Sequence, residues 1–363
     1  MSKIDKSYHN LLDEILQKGY WYDDPKRKDV NRLEIGSYTF KHDFKDGFPI
    51  LTTKKINYNN IITELLWFLK GNTNIKYLLD NGCNIWNKDA YSYFWKFRKT
   101  DKLSFGEFKD EIVIGNLEYK GNIWTNNENY ILGDLGPIYG HQWRNFNGID
   151  QISNLITNLK NQPLATDHIV NSWNVSDLDK MALPPCHYGF QIIVKPLGDA
   201  EKYFYNNLNY MKSLDYDEDY KHDYSRFKKY VNKNSIIKYG FELHWQQRSV
   251  DTFLGLPYNI ASYATLALII EKLTGYKALG IQGDLKKVHL YDNSINAVKE
   301  QLTRDTDKYN KCELKFDNPS YKSSVDWIKL DIDAFLDELY PEYFELKDYE
   351  SYPHIKVEML ERQ

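Results

Sequence analysis

Cysteine is scarce in this chain of 363 residues. Cys83, Cys186 and Cys312 are too few for a disulfide framework, so a reducing compartment, the cytoplasm, is the expected location. No stretch approaches the roughly 18 apolar residues of a membrane helix, and the opening MSKIDKSYHN lacks the apolar core of a signal peptide. A membrane partner is therefore not expected. Charge of one sign is lacking too: the net charge of −4 provides no basic field, so DNA is not an expected partner. With 42% apolar and 27% charged residues, disorder, collagen and coiled coil are excluded as classes. Linker composition and internal repeats are both missing. The length suits one large α/β core with insertions or two modest domains, and the missing linker favours one domain over residues 1–363. The excess lies in tyrosine, at 30, which carries no functional weight.

The apolar pattern places several elements. Tyr8, Leu11, Leu12, Ile15 and Leu16 form one helical stripe, with Ser7 as a candidate cap and Gly19 as the stop. Residues 33–40 alternate weakly as a strand. Residues 59–71 make a helix apolar on most sides, hence buried, with Glu64 inside it. Ile152, Leu155, Ile156 and Leu159 repeat at helical spacing. Strand-like runs follow at 168–173, 187–195 and 240–247, and the longest helix runs from near Pro257 to Gly275. Residues 92–129 and 196–239 read as insertions on the core. The second holds tyrosines 203, 205, 210, 216, 220, 224 and 230.

Three stretches carry chemistry. Cys186 follows Leu183-Pro184-Pro185 and precedes His187. A cysteine turns nucleophilic where cations or helix ends stabilise its thiolate. On these features alone Cys186 is either a buried structural cysteine or a nucleophile. His187 points to the opposite face if the segment is a strand, so it is not automatically the base. Cys83 and Cys312 have no such setting. In Gln247-Arg248-Ser249-Val250-Asp251, the Arg248 guanidinium and the Ser249 hydroxyl are suited to a phosphate. Beyond Gly255 and Pro257, Asn259 is either a helix cap or a reader of uracil, whose O4 and N3–H match one amide. A cytosine edge would suit a carboxylate better.

Taken in order, the motifs resemble the thymidylate synthase family. They are Asp46-Gly47-Phe48-Pro49 with Leu51-Thr52-Thr53-Lys54-Lys55, then Glu64 through Gly71, Asn74-Ile75, Ile85-Trp86, and Leu135-Gly136-Pro137-Ile138-Tyr139-Gly140 with Gln142-Trp143-Arg144. Ser172-Trp173-Asn174, Pro185-Cys186-His187, the run 247–264, Gly283-Asp284, His289-Leu290-Tyr291 and Ile355-Lys356 follow. They span nearly the whole chain outside the two insertions.

The resemblance implies an α/β fold with a large bent mixed sheet covered by helices, and a homodimer paired through the sheet faces. It implies one-carbon transfer from 5,10-methylenetetrahydrofolate to C5 of a pyrimidine nucleotide, dUMP foremost, without a metal. Cys186 would attack C6, and Arg248 would stabilise the thiolate and help hold the phosphate with Gln247 and Ser249. Glu64, with Tyr139, would organise water and move protons at O4 and C5. Asn259 would orient the base, and His289 and Tyr291 the sugar 3′-hydroxyl. Trp86, Asp251, Gly255 and Tyr258 would line the folate pocket, with Lys54 near the folate tail. Independently of the resemblance, the cost of an isolated buried carboxylate favours a working role for Glu64.

The departures from the family bear on the product. Thr166 and Asp167 stand where an Arg-Arg pair is usual, so the 5′-phosphate is held by other cations, with Lys26, Arg27 and Lys28 as candidates, or the substrate differs there. Lys26-Arg27-Lys28-Asp29-Val30 replaces an Arg-Thr-Gly-x-Gly loop, Asp89 replaces a second tryptophan, and the tail runs on through Leu360-Glu361-Arg362-Gln363. In the family these three parts meet over the bound folate. Their joint alteration points to water entering the intermediate, so 5-hydroxymethyl-dUMP is the favoured product. The alternatives are an ordinary synthase making dTMP and dihydrofolate, a UMP or CMP hydroxymethylase, and a non-catalytic RNA-binding homologue. A flavin-dependent route belongs to an unrelated fold without these motifs.

Overall fold

The first helix, α1 (Lys3–Lys18), buries Ile4, Tyr8, Leu11, Leu12 and Ile15 along one stripe. It starts at Lys3, so Ser7 lies inside the helix and does not cap it. The first turn instead carries the buried Asp5, whose carboxylate accepts from the backbone N–H and hydroxyl groups of Thr52 and Thr53 at 2.8–3.0 Å. Gly19 ends the helix where space forbids a side chain. A Cβ there would meet the Ile15 carbonyl at 2.5 Å and the Leu33 side chain at 2.7 Å. The computed structural model describes residues 3–25, 27–96, 103–117, 131–198, 237–317, 331–358 and 360. Lys26, the tail residues 361–363 and the tyrosines from 203 to 230 lie outside these.

Among the described residues, seven strands build one mixed sheet. They are β1 (Tyr20–Asp23), β2 (Asn31–Asp43), β3 (Ile169–Asn171), β4 (His187–Pro196), β5 (Tyr239–Gln247), β6 (Val250–Asp251) and β7 (Lys277–Tyr291). The order is β1-β2-β7-β5-β4-β3, with β6 paired to β7 beyond the end of β5. Contacts of β7 with β5 and β6 are parallel and the others antiparallel, so the expected mixed sheet is present. The strand expected at 33–40 is the middle of the longer β2. The central β7 was not anticipated from the sequence.

The helices layer onto this sheet. The expected long helix is α7 (Leu256–Thr274), buried on nearly every side; it packs on β5 and β7 while α1 packs on β2. Outside α7 lies α2 (Tyr58–Leu69), where every residue from Ile61 to Leu69 except Glu64 is buried. Two further helices, α3 (Asn87–Lys96) and α4 (Phe105–Val113), occupy the described part of the first insertion. A Ser104–Glu107 capping box opens α4, and the buried rings of Phe94 and Phe108 stand 5.2 Å apart. The helix α5 (Tyr139–Arg144) presses on α2 so closely that a Cβ on Gly140 would meet the Phe68 backbone at 2.8 Å. Next comes α6 (Gln151–Asn161), capped by Asp150. On the far face of the sheet, Gln191 opposes His244 and Ile193 opposes Glu242, and all four are at least partly exposed.

Candidate active site

Cys186 sits just before β4, and Arg248 just after β5, so the β4–β5 register at His187 and Gln247 brings them together. The Arg248 N–H donates to the Cys186 carbonyl at 2.8 Å. Its guanidinium donates through Nε to Pro185 O and through Nη2 to Pro184 O, each at 2.8 Å. The fork thereby fixes two carbonyls that the rigid Pro-Pro pair presents side by side. It also lies 5.4 Å from the centre of the Trp173 ring. On the other side the Cys186 N–H donates to the Tyr139 hydroxyl at 2.7 Å. The backbone is thus held from both sides while the residue stays partly exposed. Cys83 and Cys312 are buried, and burial pushes both thiols up to about 12, as suits inert structural cysteines.

Glu64 is the one opening in the apolar run of α2, and Trp86 reaches it: the indole Nε1 donates to Oε1 at 2.6 Å. Burial lifts the carboxyl to about 7, and the indole bond opposes that rise. The Trp86 and Tyr139 rings meet at 6.0 Å, which joins Glu64 to the neighbours of Cys186. His187 stacks on Tyr139 at 4.4 Å and its Nδ1 pairs with the Tyr263 hydroxyl at 2.8 Å. Burial pushes this imidazole down to about 3, so it is neutral at physiological pH.

Gln247 at the end of β5 and Asn259 on α7 come together. Gln247 Nε2 donates to Asn259 Oδ1 and to Ser249 O, each at 3.1 Å. Asn259 lies in the first turns of α7, behind Gly255 at the cap position, so the capping alternative does not apply. Asp251 Oδ1 accepts from the N–H groups of Phe253 and Leu254, fixing the turn into that helix. Gly255 closes back onto the Asp251 carbonyl at 3.1 Å, and burial raises the Tyr258 hydroxyl one turn on. Lys54 is buried beside the same turn: its ammonium donates to Phe253 O and stands 3.5 Å from the centre of the Phe253 ring. Burial lowers it to about 7.

His289 and Tyr291 end β7, their rings 4.9 Å apart, and Asp251 on β6 pairs with His289. The buried His289 joins its Nδ1 to Lys287 O at 2.7 Å. Tyr291 accepts from Arg27 Nη1 at 2.8 Å, and Arg27 Nε reaches the carbonyl of Leu360 in the tail at 3.4 Å. Of the three candidate phosphate cations, Arg27 therefore comes to the site, Lys28 is exposed on the loop, and Lys26 is outside the described residues. Thr166 and Asp167 are exposed at the start of β3. Near them Ile169, Trp173, Tyr188, Gln246 and Arg248 line a cleft of about 490 Å³.

Sequence reasoning assigned Glu64 to proton transfer and Trp86 to the folate pocket, and the structure joins them in one pair. It missed the Tyr263 partner of His187 and the Asp24 carboxylate beside Arg27. The first joins residues 76 apart and has no signal in spacing, whereas the second is a local pair three residues apart that the sequence could have shown. Among the described residues no group of three or more His, Cys, Asp or Glu is placed to hold a metal ion.

A partly exposed thiol on a rigid backbone, a carboxyl titrating near neutrality and a fixed amide together suit nucleophilic attack on a ring with proton transfer to it. Comparison with known proteins agrees with that chemistry. The thymidylate synthase family model matches residues 6–361. Three mycoplasmal proteins named thymidylate synthase are similar along nearly their whole length. That of Mycoplasma mobile is 35% identical over 98% of this chain and 99% of its own. For Mycoplasma genitalium the figures are 37%, 90% and 94%, and for Mycoplasma pneumoniae 33%, 98% and 99%. With a thiol so placed and a match from residue 6 to residue 361, the chain belongs to the thymidylate synthase family.

Proposed function

We propose that this protein transfers the one-carbon unit of 5,10-methylenetetrahydrofolate to C5 of dUMP and completes the transfer as a methylation, giving dTMP and dihydrofolate. The observation that carries the reading is the double anchorage of Cys186 by Tyr139 and Arg248. It holds the Cys186 backbone from both sides for attack of the sulfur at C6, which makes C5 nucleophilic. The Gln247 bond turns the Asn259 amide so that one donor and one acceptor face the O4 and N3–H of uracil. Glu64, near 7, gives and takes a proton at O4 at physiological pH, and His187 stays neutral. Lys54 and Trp86 would line the folate pocket.

The sequence by itself favoured hydroxymethylation, on the altered loop, the missing second tryptophan and the longer tail. Two observations support methylation instead. Arg27, from the rebuilt loop, still bonds the tail at the Leu360 carbonyl, so a closing contact persists. The relatives that cover the chain are named thymidylate synthase. The exposed sheet face around Ile193 and Glu242 supports pairing of two copies, and the unbroken sheet supports a single domain. Mass analysis of the product from dUMP and methylenetetrahydrofolate tests the reading, with absorbance at 340 nm as a second readout. dTMP with stoichiometric dihydrofolate is expected. 5-Hydroxymethyl-dUMP without dihydrofolate would replace methylation with hydroxymethylation.

A further inference from the structure

Helix α1 and a strap formed by residues 349–358 grip the same two residues, Thr52 and Thr53. From α1 comes Asp5, whose fully buried carboxylate accepts from the N–H and the hydroxyl of both threonines at 2.8–3.0 Å. A carboxylate only accepts, and four donors on its two oxygens meet that need. Gln301, in α8 (Ile295–Leu302), adds a bond from Nε2 to Thr53 Oγ1 at 2.9 Å. The strap takes the carbonyls instead. The Tyr352 N–H donates to Thr52 O at 2.8 Å. Arg304 Nη1 donates to Thr53 O and to Pro353 O, each at 2.7 Å, so one nitrogen joins the threonines to the strap. Further on, the strap buries Ile355, offers Glu358 O to Asn293, and leads to the Leu360 carbonyl that Arg27 reaches.

Covalent geometry links the two grips. Thr52 C=O and Thr53 N–H belong to one planar trans peptide, so they point in opposite directions. By accepting from the Thr53 N–H, Asp5 therefore aims the Thr52 carbonyl at Tyr352. Its hold on the Thr53 hydroxyl, shared with Gln301, fixes the residue whose carbonyl Arg304 needs and which Lys54 follows directly. Without the carboxylate, two buried N–H groups and two buried hydroxyls lose their acceptor and the peptide is free to turn. We propose that Asp5 is a positioning residue: through the Thr52–Thr53 peptide it sets the strap and Lys54 in place on the folate side of the site. The bearing on folate rests on the functional reading above, whereas the hold on the strap does not.

Hydrogen–deuterium exchange of the full chain without ligand, read by mass spectrometry, tests the hold directly. In Asp5→Ala, exchange within residues 349–358 is expected to speed about tenfold while β4 and β5 keep parental rates. Arg304→Met cuts the strap from Thr53 without touching α1 and should reproduce that local rise. In steady-state kinetics Asp5→Ala should raise KM for methylenetetrahydrofolate about fivefold and leave KM for dUMP within about twofold of the parent. A strap exchanging at the parental rate in either variant would overturn the proposal. So would exchange that rises equally in β4 and β5, or two KM values that rise together. Should Asp5→Ala not fold, Asp5→Asn keeps the shape with a weaker acceptor set and must still speed the strap about threefold, with parental exchange again overturning the proposal. A parent that does not turn over dUMP with the folate overturns the functional reading and the folate part of this inference, and the exchange rates then decide the hold on the strap.

Discussion

Trp86 donates its indole N–H to Glu64 across 2.6 Å, and this bond restrains a carboxyl that burial lifts to about 7. Removing the donor removes a stabilisation of the charged form. Trp86→Phe should therefore move the pH–rate inflection assigned to Glu64 to higher pH, and Glu64→Gln should abolish that inflection. An unmoved inflection in Trp86→Phe would assign it to another group.

The same carboxyl predicts a stability slope. Its pKa in the folded protein lies above the ordinary carboxyl value of 4.5, so ionising it costs more in the folded than in the unfolded chain. The stability it contributes is complete below that ordinary value and is lost as pH rises through about 7. Urea unfolding at a series of pH values should show Glu64→Gln gaining on the parent between about pH 5 and 8.

Cys186→Ala should end turnover without unfolding the protein, because the N–H bond to Tyr139 belongs to the backbone and survives. With folate present, 5-fluoro-dUMP should form a covalent adduct with the parent and none with the variant, as read by intact-protein mass spectrometry. Measurable dTMP from the alanine variant would end the nucleophile assignment.

Arg248→Lys keeps the charge but cannot fork onto Pro184 O and Pro185 O together. One carbonyl is left with a poorer partner, at a cost of about 1–2 kcal/mol in unfolding free energy. Because the same carbonyls place Cys186, kcat should fall more than saturation by dUMP does. A variant with parental Tm and kcat would show that the clamp is dispensable.

Asn259→Asp should narrow or reverse the preference for dUMP over dCMP, since a carboxylate accepts from the cytosine amine. The measurement is the ratio of kcat/KM for the two nucleotides. A parent that already prefers dCMP would refute the assignment of Asn259 to uracil.

The legible parts of the fold are those where one element carries its own pattern. The buried helices α2 and α7 follow from long apolar runs, and β4 and β5 from short ones. The central β7 escaped because Gly280 and Gly283 weaken its strand signal. Both glycines answer to neighbours: a Cβ at Gly280 would meet the His42 carbonyl at 2.5 Å, and one at Gly283 the Trp245 ring at 2.3 Å. At Lys287 the chain also takes a positive φ of 49°. Exposed β1, with Trp21 more than half open to solvent, has no buried face to create alternation. In the site, motif order singled out Cys186, Tyr139, Arg248, Gln247 and Asn259, which the fold brings into contact. Pairings across elements, such as Glu64 with Trp86 or His187 with Tyr263, depend on packing that no local pattern encodes.

The pairing of β2 with β7 has a consequence for how the protein is born. Residues 32–43 find their partners only at residues 280–291, so the centre of the sheet waits for most of the chain to leave the ribosome. At about 5–20 residues per second that delay is on the order of ten to fifty seconds. Throughout it the β1–β2 ribbon, with Tyr20, Trp21 and Tyr22 along one strand, has an unpaired inner edge as well as an outer one. The nascent chain is thus most open to chaperone capture, or to pairing with another nascent copy, before the last quarter of the message is read.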